Sequence, residues 1–217
     1  MNKIISMDEA VNLLSDGMVV MVGGFLGCGS PKKLINAIVK SNVKDLTLIC
    51  NDTSFRDYAV GKMIVKKQFS KVIVSHIGTN KETIRQMNEG ETKVELVPQG
   101  TLVEQIRCAG FGLGGFFTPT GVGTEVENGK EKKVVDGITY IYEKPLKADV
   151  ALLYGSKVDK KGNVFYNATT RNFNPVMAQA ADIVIVEAEE IVEVGELDPN
   201  CIATPHIFVN YVVGGEK

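Results

Sequence analysis

Four glycines fall within the seven residues GGFLGCG, Gly23, Gly24, Phe25, Leu26, Gly27, Cys28 and Gly29, between the apolar run MVVMV (18–22) and a helix-like segment opening at Ser30-Pro31. Glycine loses more backbone entropy than any other residue, so such a loop needs left-handed dihedrals or a bare backbone. A strand, a glycine turn and a helix N-terminus together suit a phosphate, because first-turn N–H groups and the helix dipole favour an anion. Lys32 and Lys33 fall in that first turn, where each cation opposes the dipole by about 0.3–1 kcal/mol unless an anion lies nearby. The bland alternative is that both lysines are solvated. The P-loop pattern is incomplete, since Gly24 and Gly29 are followed by Ser30-Pro31 in place of a lysine. The dinucleotide pattern G-x-G-x-x-G fails too, with Lys32 where its third glycine belongs. Asp52, ending the second apolar run, still stands where a ribose-binding acid would be. A stand-alone NAD-type oxidoreductase therefore stays open as a competing reading, as does a non-catalytic ligand sensor on a related fold.

A second glycine-rich stretch, AGFGLGGFFTPTGVGT (109–124), shows neither helical nor strand periodicity. Its phenylalanines suggest a loop that covers a substrate or a partner rather than a disordered one. His76 closes the third apolar run and reads as a pocket-wall or hydrogen-bonded residue. Cys28, Cys50, Cys108 and Cys201 lie far apart without C-x-x-C spacing, so no metal site or disulfide framework is expected and a reducing cytoplasm is the simplest setting. Cys28 reads as a small packing residue. Glu104 reads as the capping partner of Thr101, and Glu125 as the start of an exposed charged stretch.

The elements that must position these residues are legible as short apolar runs: MVVMV (18–22), LTLIC (46–50), KVIVSHI (71–77), VELVP (94–98), DVALLY (149–154) and DIVIVEA (182–188). Continuous rather than alternating apolarity points to strands buried on both faces, as in a parallel sheet. Helix starts are signalled between them. Ser6 with Glu9 and Thr101 with Glu104 fit the capping box, and Ser30-Pro31 and Asn174-Pro175 place a cap before a first-turn proline. Leu34, Ile35, Ile38 and Val39 would form one buried helix face. KKVVDGITYIYEK (132–144) reads as a β-hairpin turning at Asp136-Gly137. The expected fold is α/β: a three-layer, open, mostly parallel sheet with helices on both faces and a small hairpin excursion, forming one domain over residues 1–217.

With 217 residues, 44% hydrophobic and 23% charged, and a net charge of −2, the chain can bury a sizeable core and has no general attraction for nucleic acid or anionic membrane. No 18-residue uncharged apolar run is present. The opening MNKIISMDEAV carries acids where a signal peptide needs an apolar centre, so a cytoplasmic location is expected.

The segment DGMVVMVGGFLGCGSP (16–31) resembles the signature of the family I coenzyme A transferases, α subunit: Gly, an apolar strand, Gly-Gly-Phe, three residues, Gly, one residue and Pro. NDT (51–53), VPQGTLVEQIRCAGFGLGGFFTPTGVGT (97–124), ADVALLYGSKVDKKGN (148–163) and TTRNFNP (169–175) resemble further family segments in the same order, so the likeness covers essentially the whole chain. The resemblance implies transfer of CoA between a short-chain acyl-CoA (acetoacetyl-, butyryl- or acetyl-CoA) and a free short-chain carboxylate. Catalysis would be covalent and ping-pong, needing no ATP, metal or permanently bound cofactor. The nucleophilic glutamate would belong to a β subunit in an α₂β₂ assembly, and this chain, ending at Lys217, would lack it. Gln99 would donate its amide to the oxyanion, and the Gly23–Gly29 loop would lie against CoA. Asn51 would help hold the acyl carboxylate, with His76 at the same level. Where some relatives carry Asn-Asn this chain has Asn51-Asp52, and a second carboxylate would repel an acid, so Asp52 should point elsewhere. Arg171 could meet a phosphate or form an internal ion pair. The β subunit should cover residues 110–124 and the 23–29 loop.

Overall fold

The structure, a computed structural model, describes residues 3–215; Lys217 lies outside them. A short helix α1 (Met7–Val11) leads into β1 (Val19–Val22), after which strands and helices alternate: α2 (Lys32–Lys40), β2 (Leu46–Asp52), α3 (Gly61–Val65), β3 (Phe69–His76), α4 (Lys81–Asn88), β4 (Lys93–Leu96) and α5 (Gln99–Gly110). Three strands, β5 (Phe116–Thr118), β6 (Lys132–Val135) and β7 (Ile138–Glu143), form a small antiparallel sheet in the order β5-β7-β6. The chain then returns through β8 (Ala148–Asp159), β9 (Val164–Phe165), α6 (Asn174–Met177), β10 (Ala181–Val192) and β11 (Tyr211–Gly214). The main sheet runs β11-β10-β8-β1-β2-β3-β4, parallel throughout, with β9 antiparallel against β8.

Helices cover both faces of this sheet, as expected. Val20 and Val22 bury among α1 to α4, whereas Met21 between them buries among Leu102 and Ile106 of α5 and Met177 of α6. Packing on both faces is why β1, β2, β3, β8 and β10 read as largely apolar runs; β4, expected to be buried like them, is instead an edge strand that is mostly exposed, with Leu96 at 53%. Leu34, Ile35 and Ile38 of α2 are fully buried, each worth roughly 1.5–3 kcal/mol of transfer energy, with Val39 packed beside them. The hairpin turns where expected, at Asp136 (φ 49°) and Gly137 (φ 78°), the paired positive dihedrals that match the strand twist. It gains a third strand from residues 116–118, inside the stretch expected to be loop, and residues 109–110 finish α5. Strands β8 and β10 extend to Asp159 and Val192, well past their apolar runs, because they pair with each other along their whole length.

Of the expected caps, Ser6 and Glu9 form the full box, with Ser6 N–H donating to Glu9 Oε2 at 2.8 Å. The others are corrected. Helix α5 begins at Gln99 and its first bond runs from Leu102 N–H to the Pro98 carbonyl, 2.9 Å, so Thr101 is buried inside the helix and Glu104 pairs instead with Arg107 at 2.6 Å. Asn174 is the first helical residue of α6, with Phe173 at the cap. Pro31, not Ser30, caps α2, and Ser30 Oγ donates to the Gly23 carbonyl at 2.9 Å.

The missing cap of α2 comes from across the sheet. Glu187 of β10 is buried; its Oε2 accepts the Leu34 N–H at 2.7 Å, and its carboxylate also accepts the Lys33 N–H. Burial pushes this carboxyl above the ordinary glutamate value, against the pull of those two bonds and of the Lys33 and Lys32 charges. A raised acid binds its proton more tightly folded than unfolded, so the stability it contributes falls as pH climbs from the ordinary value through the raised one. Glu187→Gln retains an acceptor for α2 and should flatten that decline, which thermal midpoints measured on both sides of the window will show.

Candidate active site

Strands β1 to β4 lie side by side and parallel, so the residues that follow them emerge on one edge of the sheet, the carboxyl edge where α/β folds collect ligands. The 23–29 loop leaves β1, Asn51 and Asp52 end β2, His76 ends β3, and Gln99 opens α5 just beyond β4. A cleft of about 240 Å³ opens between Phe25, Leu26, Asn51, His76, Thr79 and Gln99. Phe25 and Gln99 also border a second hollow of about 310 Å³ backed by Asn172 and Phe173. A larger cavity, about 730 Å³, lies between α5 and the small sheet and takes in Glu125. Its one buried carboxylate, Glu143, is held by Lys130 at 2.5 Å and by Gln105 Nε2 at 2.9 Å, so it is spent on structure.

The glycine loop is shaped by its own chain. Phe25 and Cys28 exchange backbone hydrogen bonds of 3.0 and 2.9 Å, and Gly24 takes φ 126°, which a side chain would not tolerate. Gly23 is required for a different reason: a Cβ there would lie 2.0 Å from Asn174 Oδ1. Asn174, wholly buried, donates to the Gly29 and Thr170 carbonyls at 2.9 Å each and accepts the Tyr154 N–H at 3.1 Å. The TTRNFNP segment is thereby laced to the loop, with Asn172 Nδ2 reaching the Cys28 carbonyl at 3.0 Å.

The helix terminus beside this loop does not hold its first-turn N–H groups open for a phosphate, because Glu187 already occupies them. Lys32 is not merely solvated either; its ammonium reaches the Tyr58 hydroxyl and lies 4.5 Å from the centre of that ring. Asp52 borders the same cleft, contrary to the expectation that it points elsewhere, but it is buried and its carboxylate is engaged by the chain itself. Its Oδ2 accepts Leu26 N–H at 2.9 Å and Asn51 Nδ2 at 2.6 Å, and its Oδ1 accepts Ser54 N–H at 2.7 Å. An acid so engaged is not presented to a ribose, which removes the main support for the nucleotide reading.

Asn51 is buried, and its Oδ1 accepts Gln99 Nε2 at 2.5 Å and Ser75 Oγ at 3.3 Å. Gln99 is exposed to the cleft, and among the described residues that bond to Asn51 is its side chain's only one, so a second N–H stays available. His76 is also exposed and walls the cleft without a hydrogen bond to any described residue. Cys28 is exposed, 3.4 Å from Thr169 Oγ1, rather than packed inside; Cys50 and Cys108 are the buried thiols. Arg171 is exposed, and among the described residues it forms no ion pair. Phe111, Leu113 and Phe117 are exposed along the 110–124 stretch. Sequence reading misses Ser75 and Glu187, and it reads Asn174 as a helix cap rather than the anchor of the glycine loop. Ser75 and Glu187 do carry a signal, a polar side chain near the end of an apolar run, but nothing local marks Asn174's long-range partners.

A profile of the family described as Coenzyme A transferase matches residues 4–215. The chain is 53% identical over 215 residues to the acetate CoA-transferase subunit alpha of Escherichia coli (strain K12), covering 99% of this chain and 98% of that one. It is 50% identical over 212 residues to the acetoacetyl-CoA:acetate/butyrate CoA transferase alpha subunit of Clostridium acetobutylicum, covering 98% and 97%. Among solved structures, an acyl-CoA transferase from E. coli O157:H7, in thioester complex with CoA, superposes with a TM-score of 0.86 at 20% identity. That superposition covers 98% of this chain but 47% of the other. The glutaconate coenzyme A-transferase of Acidaminococcus fermentans superposes with a TM-score of 0.83 at 19% identity, covering 97% and 75%. These two share the fold.

The packing of Gly23 against Asn174 is directly testable. Gly23→Ala forces a methyl into the Asn174 amide and should destabilise the chain by about 1–3 kcal/mol, read as a lower denaturation midpoint.

Proposed function

The chain belongs to the coenzyme A transferase family, and from that premise we propose that it is the α subunit of a heteromeric enzyme moving CoA between short-chain acyl-CoAs and free short-chain carboxylates. The observation that carries this reading is Gln99, anchored through Asn51 at the mouth of a cleft backed by the glycine loop, with an amide N–H to spare. The acids are of the acetate, butyrate and acetoacetate class that the similar subunits are named for.

In the proposed reaction a glutamate carboxylate of the β subunit attacks the thioester carbonyl. The oxyanion that forms collapses, expelling CoA thiolate and leaving a mixed anhydride. The thiolate then attacks the glutamyl carbonyl, which releases the first acid and makes an enzyme-bound CoA thioester; the second acid runs these steps in reverse. Gln99 Nε2 donates to the oxyanion as negative charge develops there. Asn51 holds that amide from beneath and floors the acyl cleft, with His76 as its wall. Phe25 and Leu26, on the outer side of the 23–29 loop, face CoA and the β subunit. One thioester replaces another, so the group transferred is itself the coenzyme, with CoA and acyl-CoA as substrates and no resident cofactor. The exposed Phe111, Leu113 and Phe117 join the loop in the subunit interface of an α₂β₂ assembly. No helix among the described residues is long and apolar enough to cross a membrane. A cytoplasmic location is part of the same proposal, supported by four cysteines without disulfide or metal-site spacing.

CoA exchange between acetoacetyl-CoA and acetate should be absent with this chain alone and appear when the β subunit is added. In the active mixture Gln99→Ala should lower kcat by roughly 100- to 1,000-fold, the loss typical of removing one oxyanion donor. Normal turnover by the isolated chain would sink the split site.

A further inference from the structure

We propose that Asp52 is a positioning residue: through Asn51 it dictates that Gln99 presents its amide nitrogen, and not its amide oxygen, at the mouth of the cleft. The inference rests on the transferase reading above and adds a residue to it. The three side chains form a line of short contacts, 2.6 Å from Asn51 Nδ2 to Asp52 Oδ2 and 2.5 Å from Gln99 Nε2 to Asn51 Oδ1. Three N–H groups converge on the two Asp52 oxygens, so both serve as acceptors.

An amide has a donor end and an acceptor end, and its orientation is set by what it faces. Reversing Asn51 would press its Oδ1 against Asp52 Oδ2 with no proton between them. Asn51 must therefore point Nδ2 at Asp52 and Oδ1 at Gln99. Gln99 meets the same condition one step on, because its own oxygen turned toward Asn51 Oδ1 would again set two acceptors together. The polarity of one acidic side chain is thus handed along two amides to the cleft. Ser75 is compatible with it: its single hydroxyl proton goes to the Asn51 carbonyl at 2.7 Å, with Oδ1 a longer, shared acceptor at 3.3 Å. Asn51 and Asp52 are both buried, which strengthens the bond between them and raises the cost of setting two acceptors together. Asp52 is itself pinned by the backbone of the glycine loop at Leu26 and of the β2 exit at Ser54. An amide at position 52 would offer either end to Asn51, and the relay would lose its direction.

The test is a double-mutant cycle on the full chain with its β subunit, read by thermal unfolding and by kinetics. With Asp52 present, Gln99→Glu sets a carboxylate against Asn51 Oδ1 and should lower the midpoint. With Asp52→Asn, Asn51 is free to turn its Nδ2 outward, and the same Gln99→Glu change should cost much less. Gln99→Met, which has no polarity to read, should combine additively with Asp52→Asn in melting; should Gln99→Glu fail to fold, the kinetic cycle of Gln99→Ala with Asp52→Asn decides, and additivity there overturns the proposal. In turnover, Asp52→Asn should lower kcat by about tenfold, less than loss of the donor itself, with KM for acyl-CoA nearly unchanged. Adding Gln99→Ala should then cost about tenfold less than it does beside Asp52. Additive melting effects for Gln99→Glu and Asp52→Asn would overturn the proposal, as would coupling with kcat unaffected in an active complex. A wild-type complex that transfers no CoA would sink the transferase reading alone; the melting cycle would still decide the relay.

Discussion

The arrangement of the carboxyl edge depends on one buried amide. Asn174 reaches from the start of α6 to the Thr170 carbonyl, the Tyr154 N–H and the Gly29 carbonyl, so segments four, 20 and 145 residues away converge on it. With no exposure at all, it cannot trade these bonds for water, and a buried polar group left unpaired costs on the order of 1–3 kcal/mol. The bare backbone at Gly23 follows from this, since the amide occupies the volume a side chain would need. The glycine loop is therefore a rigid wall, fastened on one side by Asn174 and Asn172 and on the other by Asp52.

Two carboxylates do within the chain what a glycine loop and a helix N-terminus could do for a ligand. Glu187 takes the first-turn N–H groups of α2, and Asp52 takes the Leu26 N–H of the loop. With those donors used internally, the outward side of the loop is the apolar pair Phe25 and Leu26. Such a surface suits the hydrocarbon of a thioester or a partner's packing face better than a naked phosphate. The polar side chains that face the cleft then include Gln99 and His76.

The layered α/β fold and the hairpin could be read directly, because each reports a local rule: continuous apolarity for a strand buried on both faces, and positive dihedrals at Asp-Gly for a tight antiparallel turn. The positions of Asn51, His76 and Gln99 on one edge were legible for a related reason, since parallel neighbours must release their following residues on the same side. Capping was less legible. Thr101 and Glu104 satisfy the spacing of a box, yet Pro98 starts the helix sooner and leaves Arg107 to claim the glutamate. The outer halves of β8 and β10 escaped notice because their mutual pairing, not their own apolarity, makes them strands.

The sequence by itself determined the alternation of the main strands and helices, the layered arrangement and the loop that needs glycine, since all of these follow from side chains a few residues apart. Tertiary structure alone decided what the glycines make room for, which anion caps α2, and which way the Gln99 amide turns. Those outcomes hang on Asn174, Glu187 and Asp52 meeting backbone or amide groups as much as 153 residues away. A hydrogen bond of that reach leaves no periodicity or spacing in the chain from which it could be read.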